Sequence, residues 1–534
     1  MVEPKRGGKK FPPAVISKIS LPEINKINEE SFSRGTFHRS IKRQKVSSVV
    51  VVKNDDIQLF DLISRLPDDI LCSIMSRLSM RDAVRTSILS RRWRHLWKTS
   101  LENIDFGVLK MPRDGTKCSY CDNNAFVKCV SQILAQLCCG TTIESFKLSR
   151  RLRSPKKYSR EIDKWIQFVA DKKVQKLDVD LSAICPNWEG YDRKKVFLFP
   201  YWLFSSQDKG SALKYLTLNS YTFNLPPKFS HFSSLSSLTL KCVVMTEENL
   251  INILSNCISL QCLSMTVCFC SRHLKFASGS CSSPSLKYLS VIDCRYPEMV
   301  DIRDLVNLSS FEFRGDMATE LRLNQMAPVT RVYYKIVYPF QEEYLYAKQD
   351  LRLARDFPRL ETLIYTFPLL KAKYMPTNLP TFAKLKHLSL ILVRSSVKET
   401  LCLLEPTASL LKASPLLHKL ELHLPGSRIS SSISIRDWMK KKEIETCREC
   451  WQHYNLREVD LFNFHGNKRE VELVEYLVKH TVSLEKIQVD QKRLRYVDGK
   501  WLDDTFRVGL HLTRESVFRM LRERIPTSTD LIVL

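Results

Sequence analysis

The sequence predicts an α/β protein in which a small module of three helices precedes a long, irregular solenoid of parallel strands. Helix-start signals and amphipathic apolar spacing are concentrated in residues 60–105. From about residue 140 onward, one short apolar pattern recurs at intervals of 21 to 39 residues. Recurrence of this kind is typical of chains built from stacked repeats.

The first helix of the module is predicted to begin at Pro67. Proline suits the first helical position because its missing N–H has no partner there in any case. Asp68 and Asp69 then favour the positive end of the helix dipole. The apolar residues that fall on one face of this helix are Ile70, Leu71, Ile74, Met75 and Leu78.

Two more helices follow. The run from Ser79 to Asp82 resembles a capping box and predicts the second helix start. The apolar side of that helix comprises Ala83, Val84 and Ile88. Ser90 is expected to cap the third helix, on which Trp93, Leu96 and Trp97 align. Three short helices enclose only a small core, so this much apolar surface indicates a partner.

The recurring pattern is Leu-x-x-Leu-x-Leu, with other apolar residues substituting. Thirteen copies begin at Ile143, Val174, Leu213, Leu235, Leu260, Leu286, Leu308, Val329, Leu360, Leu385, Leu417, Leu456 and Leu484. Their mean spacing of about 28 residues falls within the period of leucine-rich repeats. One repeat does not bury its apolar edge alone, so a series indicates a solenoid of parallel strands with helical or loop return limbs.

Two details refine the prediction of a repeat array. Residues 246–254 read as a capped amphipathic helix on a return limb. The asparagine expected shortly after each strand is mostly missing, and Cys268 and Cys294 stand at that offset in two repeats. We therefore expect no regular asparagine ladder.

The strand face of the solenoid is the expected recognition surface. Side chains alternate along a strand, so the residue between the last two apolar positions points away from the core. This row includes Lys147, Asp178, Thr217, Thr239, Ser264, Ser290, Glu312, Tyr333, Ser389, Glu421, Asp460 and Gln488. Together with both flanking rows it holds eight basic and seven acidic residues. Charge this evenly mixed favours a protein partner over nucleic acid.

The chain as a whole is basic, with 83 Lys and Arg against 57 Asp and Glu, a net charge of +26. The basic residues are spread along the chain, which favours a solvated surface. Residues 1–55 are predicted to form a disordered basic arm, in which residues 39–45 form a candidate nuclear-import signal. Neither a secretory signal nor a membrane-length apolar run is visible, so we expect nuclear and/or cytoplasmic localisation, no membrane association, and free thiols among the 17 Cys.

No motif indicates catalysis. Two Cys-x-x-Cys pairs occur, Cys118/Cys121 and Cys447/Cys450, but zinc needs four ligands and each pair lacks a well-spaced second pair. Phosphate-binding glycine loops and the common hydrolase motifs are absent from the sequence. We therefore expect no enzymatic activity, no metal and no cofactor.

The helical module resembles the F-box. The resemblance rests on residues 66–71, on Leu78, and on the run Ser90-Arg91-Arg92-Trp93-Arg94-His95-Leu96-Trp97. It implies a non-catalytic subunit that binds an SKP-type adaptor and, through it, a cullin. Carried over by position, the adaptor contacts fall on Leu66, Pro67, Ile70, Leu71, Ile74, Leu78, Val84 and Trp93. Some of these residues must also hold the three helices together.

The C-terminal part resembles the FBD segment that follows the repeats in many plant F-box proteins. Residues 455–461, 472–478 and 484–487 match its order of strand, helix and strand. The predicted domains are therefore a basic arm (1–55), an F-box (56–106), a connector (107–139), a leucine-rich-repeat solenoid (140–440) and an FBD-like end of the solenoid (441–534).

This organisation predicts a substrate-recognition subunit of an SCF-type ubiquitin ligase, which binds the adaptor through the F-box and a target protein through the repeats. The alternative is a repeat scaffold outside any ligase, or a nucleic-acid-associated protein. The net charge of +26 and the basic arm favour that alternative.

Overall fold

The structure is a computed structural model of the 534-residue chain. It describes residues 63, 65–108, 123–137, 142–150, 152, 155–181, 197–205, 211–276, 285–295, 297–303, 305–316, 319–323, 328–337, 353–369, 379–393, 403–425, 451–497, 499–504 and 512–534. The predicted basic arm and both Cys-x-x-Cys pairs lie outside these residues. The chain divides into two compact units, one of residues Met1–Thr141 with Arg151–Arg153, the other of Thr142–Arg150 with Ser154–Leu534.

The first unit is helical. Among its described residues, the helices are α1 (Asp68–Ser76), α2 (Met80–Arg85), α3 (Trp93–Ser100) and α4 (Asn123–Gln136), with one short strand, β1 (Asn103–Asp105). The three helices of the predicted F-box are confirmed, although α1 begins one residue after Pro67 and α2 gives way to a 3-10 turn at Thr86–Ile88. Helix α4 lies within the range predicted as a connector, because Phe126, Val130 and Ile133 form a buried apolar stripe at helical spacing.

The second unit is dominated by one parallel sheet. Its strands are β2 (Ser145–Ser149), β3 (Lys176–Asp180), β5 (Tyr215–Asn219), β7 (Ser237–Lys241), β8 (Cys262–Thr266), β10 (Tyr288–Ile292), β12 (Ser310–Asp316), β14 (Arg331–Val337), β15 (Thr362–Pro368), β16 (His387–Val393), β17 (Lys419–His423), β18 (Glu458–Phe462), β19 (Lys486–Asp490) and β22 (Asp530–Val533). They lie side by side in this order, so the sheet follows the chain as a solenoid requires.

Each of the thirteen predicted repeats contributes one strand, and the strands pair in register. Leu216 lies beside Leu238, Leu238 beside Leu263, and Leu263 beside Leu289, so equivalent apolar residues stack along the core. The same register continues to the end of the array. Strand β22 was not predicted, because Ser528 occupies the first apolar position of its pattern.

The return limbs vary in structure. Some contain a helix: α5 (Ser159–Asp171), α6 (Glu247–Asn256), α7 (Leu353–Asp356), α8 (Leu404–Ala413), α9 (Lys468–His480) and α10 (Arg514–Arg522). Others contain short strands: β4 (Phe197–Leu198), β6 (Tyr221–Thr222), β9 (His273–Lys275), β11 (Met299–Asp301) and β13 (Glu320–Arg322). Thr246 caps α6 by accepting a bond from the Asn249 N–H, as predicted. A hairpin, β20 (Leu494–Val497) and β21 (Lys500–Asp503), completes the unit.

Cysteines replace asparagines in two of the turns that follow the strands. The Cys268 thiol donates to the Leu240 carbonyl at 3.4 Å, and the Cys294 thiol donates to the Met265 carbonyl at 3.6 Å. In a later turn Asn463, one repeat position earlier than these cysteines, donates to the Leu424 carbonyl at 2.7 Å. A thiol is a weaker donor than an amide but also satisfies a carbonyl, so the repeats stay irregular without leaving these acceptors unpaired.

Candidate functional site

The helical unit has a core built from one face of each helix. Leu71 and Met75 of α1 are buried with Trp93, Leu96 and Trp97 of α3. Ser79 caps α2, since its Oγ accepts from the Asp82 N–H and donates to the Asp82 carboxylate. The sequence-predicted capping of α3 is also present, because the Trp93 N–H donates to Ser90 Oγ at 3.3 Å.

Arg92 links the end of the predicted F-box motif to its beginning. Its Nε lies 2.5 Å from Asp68 Oδ1, and its Nη2 donates to the Leu66 carbonyl at 2.6 Å. One guanidinium group thereby holds both the first turn of α1 and the residue before Pro67. Arg92, the second arginine of the Ser-Arg-Arg-Trp run, therefore has a structural role: it fixes the start of α1 to the start of α3.

The structure divides the eight predicted adaptor contacts into core and surface. Leu71 and Trp93 are buried and hold the helices together. Ile70 and Ile74 are 46% and 42% exposed on one face of α1, because they are four residues apart. The remaining contacts are exposed or half-buried: Leu66, Pro67, Leu78 and Val84.

Three further apolar side chains of this unit face solvent. They are Ile63, Ile88 and Leu89. Ile88 was predicted on the apolar side of a continuous second helix, but α2 ends at Arg85 and Ile88 lies in the 3-10 turn that follows. Exposed large apolar residues concentrated in so small a unit are typical of a surface that binds another protein.

The second candidate surface is the strand face of the solenoid. At β5 and β7, Thr217 and Thr239 of the predicted row are half-exposed, as expected for a concave face open to solvent. From β8 to β18 the same row is buried, with Ser290 and Ser389 at 0% exposure. In the middle of this face, residues from a later part of the chain contact the row and its neighbours.

The contacting element is the hairpin β20–β21. Its strands pair antiparallel, with Tyr496 opposite Trp501 and Arg495 opposite Leu502. Tyr496 packs with Tyr333 of β14 and Ile364 of β15, while Trp501 packs against the same group. The Tyr496 and Tyr333 ring centroids are 4.7 Å apart. The hairpin thus lies on the face predicted to recognise a target.

A buried carboxylate anchors the hairpin. Tyr496 donates its hydroxyl hydrogen to Glu312 Oε1 at 2.6 Å, and Arg331 Nη2 lies 3.5 Å from the same hydroxyl oxygen. Ser290 Oγ donates to Glu312 Oε2 at 3.4 Å. Burial raises the pKa of Glu312, and the hydroxyls of Tyr496 and Tyr288 and the charge of Arg331 oppose that shift.

A stack of rings holds the other arm of the hairpin. The Trp501 ring lies on the His423 imidazole, with centroids 4.0 Å apart and planes 13° apart. His423 in turn stacks on Phe462, with centroids 4.7 Å apart. Ser389 Oγ lies 3.2 Å from His423 Nε2. Burial lowers the pKa of His423 to about 4, so the stacked imidazole is neutral at pH 7.

An ion cluster borders this stack. Lys419 Nζ lies 3.1 Å from Glu421 and 2.9 Å from Asp460, and His387 Nε2 lies 3.1 Å from Glu421. Burial opposes ionisation of Glu421, but His387 and Lys419 outweigh it and hold the pKa of this carboxyl at about 2. One basic side chain of the face, Lys419, is therefore shared by two acidic side chains.

A sequence signal for the hairpin exists in the chain. Asp498-Gly499 is the strongest two-residue hairpin turn, and Tyr496 and Trp501 flank it symmetrically. Gly499 has φ of +78°, which favours glycine. A Cβ there would stand 3.6 Å from the Tyr288 hydroxyl, so the turn also approaches the face closely. The prediction missed the hairpin because it followed the leucine pattern alone.

The described residues contain no cluster of three or more His, Cys, Asp or Glu side chains arranged to hold a metal ion. Within the same residues, no helix is both long enough and apolar enough to span a membrane. The strand, helix and strand predicted for residues 455–487 are present as β18, α9 and β19.

A short helical unit with an exposed apolar face, followed by a parallel-strand solenoid, defines a class of modular binding proteins. Comparison with known families places the chain within that class. Residues 63–104 match the F-box domain, and residues 135–518 match the family described as At1g61320/AtMIF1, LRR domain. The chain therefore belongs to the F-box/LRR-repeat proteins.

The individual relatives that the chain matches are also F-box/LRR-repeat or F-box/FBD/LRR-repeat proteins. The F-box/LRR-repeat protein At5g02910 of Arabidopsis thaliana is 23% identical over 506 residues, covering 89% of this chain and 97% of the relative. The F-box/FBD/LRR-repeat protein At1g78750 of the same plant is 28% identical over 350 residues, covering 61% and 71%. A third, the F-box/FBD/LRR-repeat protein At1g13570, is 32% identical over 229 residues, covering 43% and 48%.

Proposed function

We propose that this protein is a substrate-recognition subunit of an SCF-type ubiquitin ligase. The exposed face around Ile70 and Ile74 supports a role in binding an SKP-type adaptor, and through it a cullin. The solenoid supports a role in binding a target protein. The observation that carries the proposal is the pairing of an apolar docking face with a long repeat array in one chain.

The proposed contribution is proximity, not catalysis. A ligase of this type holds the target near a recruited conjugating enzyme, and that requires only two binding surfaces on the receptor. The proposed location is the nucleus and/or the cytoplasm. The FBD-like end is proposed to form the last repeats together with the hairpin.

The alternative, a repeat scaffold or nucleic-acid-associated protein, draws on the net charge of +26. The strand face gives it little support, because Lys419 is paired with Glu421 and Asp460, and Arg314 is paired with Asp293 at 2.9 Å. A nucleic-acid site needs basic side chains directed at phosphates. Steep salt-dependent binding to nucleic acid without adaptor binding would favour the alternative.

Adaptor binding is tested with one matched pair of variants on α1. Ile74→Asp places a charge on the exposed apolar face, and Ser73→Asp places the same charge on the neighbouring exposed position. Co-purification with an SKP-type adaptor and a cullin is expected to fall at least tenfold for Ile74→Asp and to stay near wild type for Ser73→Asp. Equal capture of wild type and Ile74→Asp would contradict the proposal.

Targets are identified by proximity labelling from the intact chain and from the Ile74→Asp variant, with the proteasome inhibited. Proteins labelled by both are candidate targets, because the solenoid is unchanged. Their ubiquitination is expected to depend on Ile74 and not on Ser73. If ubiquitination is the same with all three chains, the ligase role is rejected.

A further inference from the structure

We propose that the hairpin β20–β21 is a built-in ligand of the concave face, and that a target binds there by displacing it. The partner segment would present the same two groups as the hairpin, a phenol directed at Glu312 and a flat aromatic ring over His423. This inference rests on the proposed function in taking the concave face as the target site.

The hairpin is attached in a way that allows displacement. Its two strands form a sheet of their own and pair only with each other among the described strands. Its base is closed by Arg493, whose carbonyl accepts from the Asp504 N–H at 2.8 Å and whose Nε lies 3.4 Å from the Asp504 carboxylate. Release of the hairpin therefore breaks side-chain contacts with the solenoid but no strand pairing of the main sheet.

The buried Glu312 carboxylate beneath the hairpin accepts a hydrogen bond from it. Glu312 is 2% exposed, and Ser290 and the Tyr496 hydroxyl both donate to its carboxylate. A buried carboxylate that loses a donor and does not regain water is costly, so the site selects a ligand that supplies a hydroxyl at this point. An aliphatic side chain in place of Tyr496 would remove one donor and leave the Ser290 and Tyr288 hydroxyls at this carboxylate.

The second position selects a planar ring. His423 is neutral, lies flat on Phe462, and offers its other face to Trp501. Offset stacking between flat rings is favourable beyond the area they bury. The Tyr496 and Trp501 centroids are 5.1 Å apart, so both groups sit on one compact turn. The fitting partner is thus a turn or hairpin that carries a tyrosine and an adjacent tryptophan-like ring.

The exposure of the row of strand-face residues differs between the first strands of the solenoid and its middle. The row is half-exposed at Thr217 and Thr239 and buried at Ser290 and Ser389. The contacts of the hairpin fall within the buried stretch, on Glu312 of β12, Tyr333 of β14, Ile364 of β15 and His423 of β17. The hairpin therefore occupies part of the stretch in which the row is closed.

The first test measures docking in the full chain by hydroxyl-radical footprinting of Tyr333. Tyr496→Ala/Trp501→Ala removes both docking rings, while Arg495→Ala/Leu502→Ala alters the opposite, exposed face of the same hairpin. We expect Tyr333 oxidation to rise at least threefold in the first variant and to stay near wild type in the second. Unchanged oxidation in both would overturn the proposal.

The second test asks whether the vacated face binds a ligand. The probe is a head-to-tail cyclised peptide of residues 494–503 with a fluorophore on Lys500, which faces solvent in the hairpin. Anisotropy should show saturable binding to Tyr496→Ala/Trp501→Ala, and at least tenfold weaker binding to wild type and to Arg495→Ala/Leu502→Ala. A peptide carrying Tyr496→Phe should bind more weakly than the parent peptide.

Equal peptide binding to wild type and to the undocked variant, or binding to neither, would overturn the proposal. Circular dichroism checks folding, and Tyr496→Phe in the full chain gives a milder second variant, expected to raise Tyr333 oxidation by a smaller factor. If the double variant unfolds and Tyr496→Phe leaves Tyr333 protected, the hairpin is part of the solenoid core and the proposal fails. Adaptor co-purification on the same samples reports the proposed ligase function separately.

Discussion

The Tyr496 hydroxyl donates a 2.6 Å hydrogen bond to Glu312 Oε1, although the two residues are 184 positions apart in the chain. Glu312 belongs to β12, in the middle of the solenoid, and Tyr496 to a hairpin near its end. One bond therefore ties the C-terminal part of the chain to the centre of the repeat array.

Removal of this hydroxyl should lower stability measurably. Tyr496→Phe keeps the ring on Tyr333 but leaves Glu312 without one donor, and we expect a loss of about 1–3 kcal/mol in the free energy of unfolding. Urea unfolding followed by circular dichroism measures the loss. Tyr215→Phe is the matched control, because the Tyr215 side chain is 49% exposed on β5. A Tyr496→Phe variant as stable as the control would contradict the bond's role.

The His423 stack predicts acid sensitivity. Burial lowers the pKa of His423 from 6.5 to about 4 in the folded chain, so the unfolded chain takes up this proton first as the pH falls. Stability contributed by the neutral ring is present above pH 6.5 and is lost as the pH falls from about 6.5 to about 4. The full loss is about 3 kcal/mol.

The measurement compares the pH dependence of unfolding of wild type with that of His423→Phe, which keeps a flat ring between Phe462 and Trp501. The difference between the two curves should slope in this window and be flat above it. Glu421 titrates lower, with a folded pKa of about 2, so its loss of stability falls between about pH 4.5 and 2 and is separable. Parallel curves from pH 7 to 4 would refute the prediction.

The division of the helical unit into core and surface predicts two kinds of variant. Leu71→Ala removes a fully buried side chain and should destabilise the unit by about 2–5 kcal/mol. Ile70→Ala, at the adjacent exposed position, should change stability by less than about 0.5 kcal/mol and weaken adaptor binding by about tenfold. Thermal unfolding and calorimetric titration with the adaptor separate the two effects. An unchanged adaptor affinity for Ile70→Ala would remove this residue from the interface.

The structural role of Arg92 predicts that lysine does not replace arginine here. Lysine cannot reach both Asp68 and the Leu66 carbonyl with one planar group, so Arg92→Lys should cost about 1 kcal/mol of stability. The first turn of α1 should then loosen and adaptor affinity should fall. Arg91→Lys, at the exposed neighbouring position, is the control. Equal melting temperatures for the two variants would contradict this role.

The leucine pattern alone predicted the solenoid well, because each of these repeats buries the same three positions and the register of the strands follows from stacking them. Leu216, Leu238 and Leu263 lie side by side as their spacing requires. The same logic missed β22, where Ser528 replaces the first apolar residue, and assigned Ile88 to a helix that ends earlier. Local patterns lose reliability where one residue departs from the repeat.

The sequence could not predict which adaptor contacts are core and which are surface, because Ile70 and Leu71 are adjacent and equally apolar. Only the packing of α1 on α3 shows that Leu71 is enclosed and Ile70 is exposed. The cover on the strand face is a stronger case. Asp498-Gly499 predicts a hairpin, yet nothing local predicts that the hairpin rests on Glu312 and His423.

The sequence by itself determined the two modules, the family they resemble and the row of residues that points away from the solenoid core. These follow from periodicity, which is a local property of the chain. The tertiary structure alone decided that Tyr496 and Trp501 lie over the middle of that row, since Tyr496 meets Glu312, 184 positions away, only after the repeats have stacked. The accessible recognition surface is therefore determined by the folded solenoid, whereas the modules that carry it can be predicted from the sequence.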